Sequence, residues 1–286
     1  MGKRKQTGRP VVIAVSGDHH AASTLAVCPP SVPKDDGGTY RASRVQRWLW
    51  RNWLDYIRQV EQAREREDAA LYVVLNGDLM EGVHHRSTQL ISANDADQIA
   101  CARAVFAPLM ELRPDAVFVV RGTEAHAGAS GSREEALARM WASDGLPVQR
   151  DRTTGAYSRW ALRMDVQGVL IDVRHHGRAG MRPWTRGSNV ALLAQHIWAE
   201  HAERGRRPPD LAIRGHRHIY ADSGTANRMT RVVQLPAWQI KTAHAHKVAA
   251  ESIADIGGAI ITVRDGEYDI RTVLYEPEEE APWRAA

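Results

Sequence analysis

Cysteine is scarce in this 286-residue chain, which has only Cys28 and Cys101, neither of them in a Cys-x-x-Cys pair. Two isolated cysteines exclude a multi-bridge disulfide framework and a cysteine-built zinc centre, so any metal must be held by His and carboxylate. Long apolar runs are missing as well: none approaches the roughly 18 to 20 residues that a membrane-spanning helix needs. The basic stretch from Lys3 to Arg9 passes straight into a short apolar segment without a signal-peptide core, so a cytoplasmic protein with no membrane partner is expected. Lysine occurs five times and the other bases are arginine. The formal charge of +4 is a weak argument for nucleic acid, because GC-rich codons also load a chain with arginine. Glycine (22) and proline (13) are too few for a fibrous or disordered chain, and 43% apolar with 25% charged residues is ordinary for a globular one.

Short β-branched runs punctuate the first half: Val11 to Val15, Leu71 to Leu75 and Ala116 to Val120 each read as a buried strand. Between them, Trp48, Leu49, Trp53, Tyr56, Ile57 and Val60 recur at three and four residues, giving a helix with one apolar stripe, and 96–112 also reads as helix. Residues 28–39, with three prolines and two glycines, read as an irregular loop. Later, 157–174 reads as two strands around Gly168, 189–203 as helix, 211–214 and 230–235 as strands, and 259–275 as a hairpin turning at Asp265-Gly266. Alternation of short apolar strands with helices is the pattern of an α/β sheet covered on both faces. One domain over 1–275 is expected, with a basic tail at 1–9 and an acidic tail at 276–286.

Histidine is the abundant exception, with 13 residues, many in tight pairs. Asp18, His19 and His20 follow the first strand, Gly77, Asp78 and Glu81 the second, and Gly122, Thr123, Glu124 and His126 the third. His175 and His176 end a later strand, and His216 and His218 follow another. Strand carboxyl ends converge on a crevice in an open α/β sheet, so clusters far apart in sequence meet there. Imidazole and carboxylate donors suit manganese, iron or zinc.

The ordered set Asp18-His19-His20, Gly77-Asp78, Gly122-Thr123-Glu124, His175-His176-Gly177 and Gly215-His216-Arg217-His218 resembles the calcineurin-like metallophosphoesterases, in a phage-type variant. The resemblance implies two mixed β-sheets packed as a sandwich flanked by helices, with two divalent metal ions at the strand ends, manganese foremost and iron or zinc next. It implies that Asp18, His20 and His218 hold one metal, that Asp78 bridges both, and that His216 with His175, or the adjacent His176, holds the other. It further implies a phosphoester substrate attacked by a metal-bridging hydroxide. Paired metals about 3.5 to 4 Å apart acidify a shared water and grip phosphoryl oxygens.

The third motif departs from the family's Gly-Asn-His. Thr123 stands where Asn is expected and Glu124 where His is expected, with His126 two residues late. Three readings stay open: Thr123 as a weak ligand, Glu124 supplying a charged oxygen, or water filling the gap. His126 and Glu124 are the candidate catalytic residues, and Glu81 is placed to orient a ligand. Arg121, Arg178 and Arg217 beside the site are candidates for gripping phosphate. Arg44, Arg47, Arg51 and Arg58 form one helical face that reads as solvated, with a nucleic-acid contact as the alternative. His84-His85 reads as a solvated loop, His244 and His246 as a surface hairpin, and 180–187 as a mobile loop. A phosphodiesterase or nuclease acting on DNA or RNA is favoured over a phosphomonoesterase. The alternative is a non-catalytic scaffold, which the loss of Gly-Asn-His alone supports.

Overall fold

A computed structural model describes residues 8–84, 86–178, 182–225, 230–277 and 283–284. The basic segment 1–7, His85, Gly180 and most of the acidic tail lie outside the described residues. The chain runs β1 (Val11–Ser16), β2 (Ser31–Pro33), β3 (Thr39–Arg41), α1 (Arg44–Arg66), β4 (Ala70–Asn76), α2 (Asp95–Met110) and β5 (Ala116–Val120). It continues with α3 (Glu124–Ala127), a 3-10 turn (Ala129–Gly131), α4 (Ser132–Ser143), β6 (Ser158–Arg159), β7 (Leu162–Val166), β8 (Val169–His176) and α5 (Pro183–Glu203). Last come β9 (Leu211–Gly215), β10 (Ala221–Asp222), β11 (Arg231–Gln234), α6 (Ala243–Val248), β12 (Ile256–Arg264) and β13 (Glu267–Tyr275).

The strands form a six-stranded sheet in the order β13-β12-β1-β4-β5-β6 and a five-stranded sheet in the order β10-β11-β9-β8-β7. Both are mixed, as expected. In the first sheet β1, β4 and β5 run parallel while β12 opposes β1; in the second β8, β9 and β11 run parallel while β7 opposes β8.

All six residues of β1 are buried, because side chains alternate between faces and both faces are covered. Val11, Ile13 and Val15 join Val74, Val120, Ile171, Ile213 and Val233 between the two sheets. Val12 and Ala14 turn the other way, toward Leu49, Trp53 and Phe106 of α1 and α2. On the outer face of the second sheet, α5 lays Val190, Ala194 and Ile197 on Ala212 and Val232. The layers are therefore helix, sheet, sheet, helix.

α1 starts where a capping box allows it: the Ser43 hydroxyl accepts from the Gln46 amide, and the Gln46 side chain accepts from the Ser43 amide. Its apolar stripe is the expected one, and Arg44, Arg47, Arg51 and Arg58 are exposed on the other side, away from the site cavity. Three expectations are corrected. The 28–39 loop contains most of a two-stranded hairpin, β2 on β3, whose strands are too short to stand out against the prolines. α5 begins at Pro183, six residues before the apolar periodicity starts, since Pro is well suited to a first helical turn. His244 and His246 lie on α6, a helix capped by the Thr242 hydroxyl, where a hairpin was expected.

Candidate metal centre

The parallel strands bring five loops to one end of the molecule. Backbone bonds lock the first two together, with the Asp18 amide donating to the Gly77 carbonyl and the His20 amide to the Asp78 carbonyl, both at 2.9 Å. Gly77 and Gly122 let the loops close. A Cβ on Gly77 would lie 2.6 Å from His175 Nδ1 and 2.7 Å from the Gly122 Cα, and one on Gly122 would fall on the Asp78 carboxylate.

Among the described residues three donor groups result, each with ligand atoms within 4.8 Å of one another: first Asp18 with His20 and His218, second Asp78 with His175 and His216, and third His20 with Glu81 and His126. In the first, His20 Nε2 and His218 Nε2 are 3.1 Å apart, and His218 Nε2 is 3.4 Å from Asp18 Oδ1. In the second, His175 Nε2 is 3.0 Å from Asp78 Oδ2 and 3.9 Å from Asp18 Oδ1, which ties the groups together. The His175 Nδ1–H donates to the Asn76 carbonyl at 2.8 Å, so Nε2 is the free donor. Asp18, His20, Asp78 and His175 are at most 2% exposed.

Asp18, His20, Asp78, His216 and His218 all adopt left-handed backbone, with φ from 46° to 75°. Such conformations are uncommon outside glycine and cluster at functional sites.

Charge follows the geometry. Burial opposes ionisation of Asp18, but the His175 charge and the His218 bond outweigh it and hold the carboxyl at about 2. Asp78 lies well below the usual carboxylate range for the same reason: burial raises it, and His175 more than reverses this. His175 is desolvated too, yet Asp78 and Asp18 lift it to about 10. His216 falls to about 4, chiefly through burial and then the His175 charge.

The third motif is resolved residue by residue. The Thr123 amide donates to Asp78 Oδ1 at 2.6 Å, and its hydroxyl lies 3.2 Å from His216 Nδ1 and 3.5 Å from His175 Nε2, among the donors. Glu124 is exposed and accepts the Ser130 amide, outside the cavity. His126, on α3, donates from Nδ1 to the Glu81 carbonyl at 2.6 Å and lines the cavity, its ring 4.4 Å from that of His20.

His176 is exposed and belongs to none of the donor groups, although its ring lies 5.2 Å from that of His175 and 4.9 Å from that of His216. Arg121 bonds Ser158 Oγ at 2.8 Å and stacks on Trp160, outside the cavity lining. Arg217 lines the cavity, and Arg178 lines a smaller hollow beside it.

Nothing in the sequence pointed to His84, Gln239 or Glu134 as participants, whereas Glu81 was expected beside a ligand. Glu81 lies 2.9 Å from His20 Nδ1 and 3.1 Å from His84 Nε2, and it accepts Gln239 Nε2 at 3.0 Å. Burial raises the Glu81 carboxyl, and His20 and His84 drive it far below the normal range. Glu134, on α4, takes the amides of Leu79 and Gly122 and is pushed up to about 7 by burial and then Asp78. All of this opens onto a cavity of about 530 Å³, whose wall includes Lys241, His244 and Lys247.

The chain matches no protein-family model and no curated protein. Among solved structures it is similar to an archaeal phosphodiesterase (11% identity, 92% of this chain and 99% of that one, TM-score 0.41). It is similar to Vps29 of Entamoeba histolytica complexed with zinc (11%, 92% and 98%, TM-score 0.39). It is also similar to the NAD nucleotidase of Haemophilus influenzae (12%, 93% and 56%, TM-score 0.40). At such values the chemistry has to be read from this chain's own residues, which gather at the parallel strand ends of two mixed sheets.

Proposed function

We propose that the chain is a dinuclear metal-dependent phosphoesterase, with phosphodiesters as its substrates. The observation that carries this reading is the convergence of Asp18, His20, Asp78, His175, His216 and His218, drawn from four segments of the chain, in two adjoining donor groups, of which His20, Asp78, His216 and His218 line the cavity. The donor set fits a pair of borderline divalent ions: imidazole nitrogens and buried carboxylate oxygens gather within 4.8 Å of one another in each group. Asp18, His20 and His218 would hold one ion, and Asp78, His175 and His216 would hold the other, with Thr123 beside them. Manganese is the first ion to try, then iron or zinc. When bound, the ions supply Lewis acidity and positive charge at the phosphoryl group.

The protein's own residues do the rest. Glu81 fixes the His20 ring through Nδ1, and the Asn76 carbonyl fixes that of His175. Thr123 holds Asp78 through its amide. His126, with its Nδ1–H committed to the Glu81 carbonyl and its pKa lowered to about 4 by burial and the His20 charge, presents Nε2 as an acceptor at the cavity wall, so the departing oxygen takes its proton from water. Arg217 sits where it neutralises a phosphoryl oxygen. Metal-stripped protein should regain hydrolysis of bis-p-nitrophenyl phosphate on addition of manganese, and Asp78→Asn should abolish it; a stripped chain that binds no divalent ion overturns the reading.

A further inference from the structure

Two smaller hollows adjoin the metal cavity and share residues with it. Arg217 lines the cavity and also the first hollow, where it meets Arg178 and Leu192. Arg178 in turn lines the second hollow, together with Arg174 of β8, Arg206 just past α5 and the carboxylates of Asp172 and Glu200. The three form one continuous path with an arginine at each junction. Arg178, Arg206 and Arg217 are exposed and make no ion pair among the described residues, whereas Arg174 is paired with Asp172. Lys241 and Lys247 add cations on the cavity wall itself.

A guanidinium fork matches phosphate oxygens, and arginines left unpaired at successive junctions form an electrostatic footprint for an anion. A small phosphoester would occupy only the cavity, so a path beyond it serves a ligand with phosphates in series. Leu192, in the first hollow, is 60% exposed, and Trp184, on the first turn of the same helix, is 77% exposed; such surfaces suit the faces of unpaired bases. Asp78 lines the cavity with only 1% exposure, so a reacting phosphate must descend to it. A duplex, stiff over about 150 base pairs, does not bend into such a hollow, whereas a single strand does.

We infer that this path seats a single-stranded polynucleotide, with one phosphate over the donor cluster and its neighbours on Arg217, Arg178 and Arg206. The inference rests on the phosphoesterase reading for the reacting phosphate, and goes beyond it in substrate and path. Its test is the anisotropy of a labelled oligothymidylate titrated with the full chain in chelator, over a series of salt concentrations. Wild type is expected to bind. The double variant Arg178→Gln, Arg206→Gln should bind about tenfold more weakly at low salt, with a salt slope smaller by about 1.4, since each phosphate contact on a single strand contributes about 0.7. Urea unfolding checks that the variant is folded; if it is not, each single substitution is measured and should lower the slope by about 0.7. Unchanged affinity and slope overturn the inference, as do tighter binding of a duplex or binding of phosphatidylserine vesicles without the oligonucleotide. Hydrolysis of bis-p-nitrophenyl phosphate by metal-loaded wild type reports separately on the phosphoesterase reading, so failure of either is recognised by itself.

Discussion

His20 and His218 face one another through their Nε2 atoms at 3.1 Å, although 198 residues separate them. Two bare lone pairs at that distance repel, so a shared proton or a cation must lie between them. Beside them His175, held at about 10, keeps its own proton at neutral pH in the metal-free chain. Metal uptake must therefore expel protons. Titration calorimetry near pH 7 in buffers of different ionisation enthalpy should show release of at least about one proton per chain, with affinity rising as pH rises. An observed enthalpy independent of buffer would sink the assignment. The same shift sets a stability trend: a raised His stabilises the folded metal-free chain fully below its unfolded value of 6.5, and this contribution fades as pH climbs through about 10.

Glu81 touches His20, His84 and Gln239 yet belongs to neither principal donor group. Glu81→Gln keeps the shape and removes the charge that orients the His20 ring. Affinity for manganese should fall about 10- to 100-fold with the fold intact, as for other residues that support a metal-binding histidine. Equal manganese affinity in equilibrium dialysis would show that Glu81 acts only in packing.

Gly122→Ala places a methyl group against the Asp78 carboxylate without touching any proposed ligand directly in sequence. Manganese binding and diester hydrolysis should both drop at least about tenfold, because sub-ångström placement governs such sites. Gly187→Ala, in α5 with open space around it, is the matched control and should be neutral or stabilising by about 1 kcal/mol in urea unfolding.

Trp53 anchors the helical layer. It is fully buried, donates from Nε1 to the Val105 carbonyl at 2.8 Å, stacks on Tyr56 and meets Trp238 edge-on. Trp53→Ala should cost about 3 to 5 kcal/mol, read as a lower urea midpoint. A loss under about 1 kcal/mol would mean that the surrounding aromatics close over the gap.

The sheet strands were legible where β-branched residues run unbroken, as in Val11 to Val15 and Ala116 to Val120, because burial on both faces removes polar alternation. The Asp and His clusters were legible because strand ends gather ligands. His84, Gln239 and Glu134 were not, since each acts through a partner reached only by folding: Gln239 meets Glu81 across 158 positions of chain. α6 escaped because six residues containing two histidines carry no apolar period, and the start of α5 escaped because Pro183 to Arg186 reads as a turn in isolation. His175 and His176 were inseparable in sequence, and folding buries the first among the donors while leaving the second exposed.

Five residues of the first two donor groups hold backbone angles that glycine would adopt freely. Each carries a standing penalty of about 1 kcal/mol or more during folding, before any ion arrives. The metal-free chain therefore folds against this strain, held in place at Asp18 and Asp78 by the His216 and Thr123 amides that their carboxylates accept.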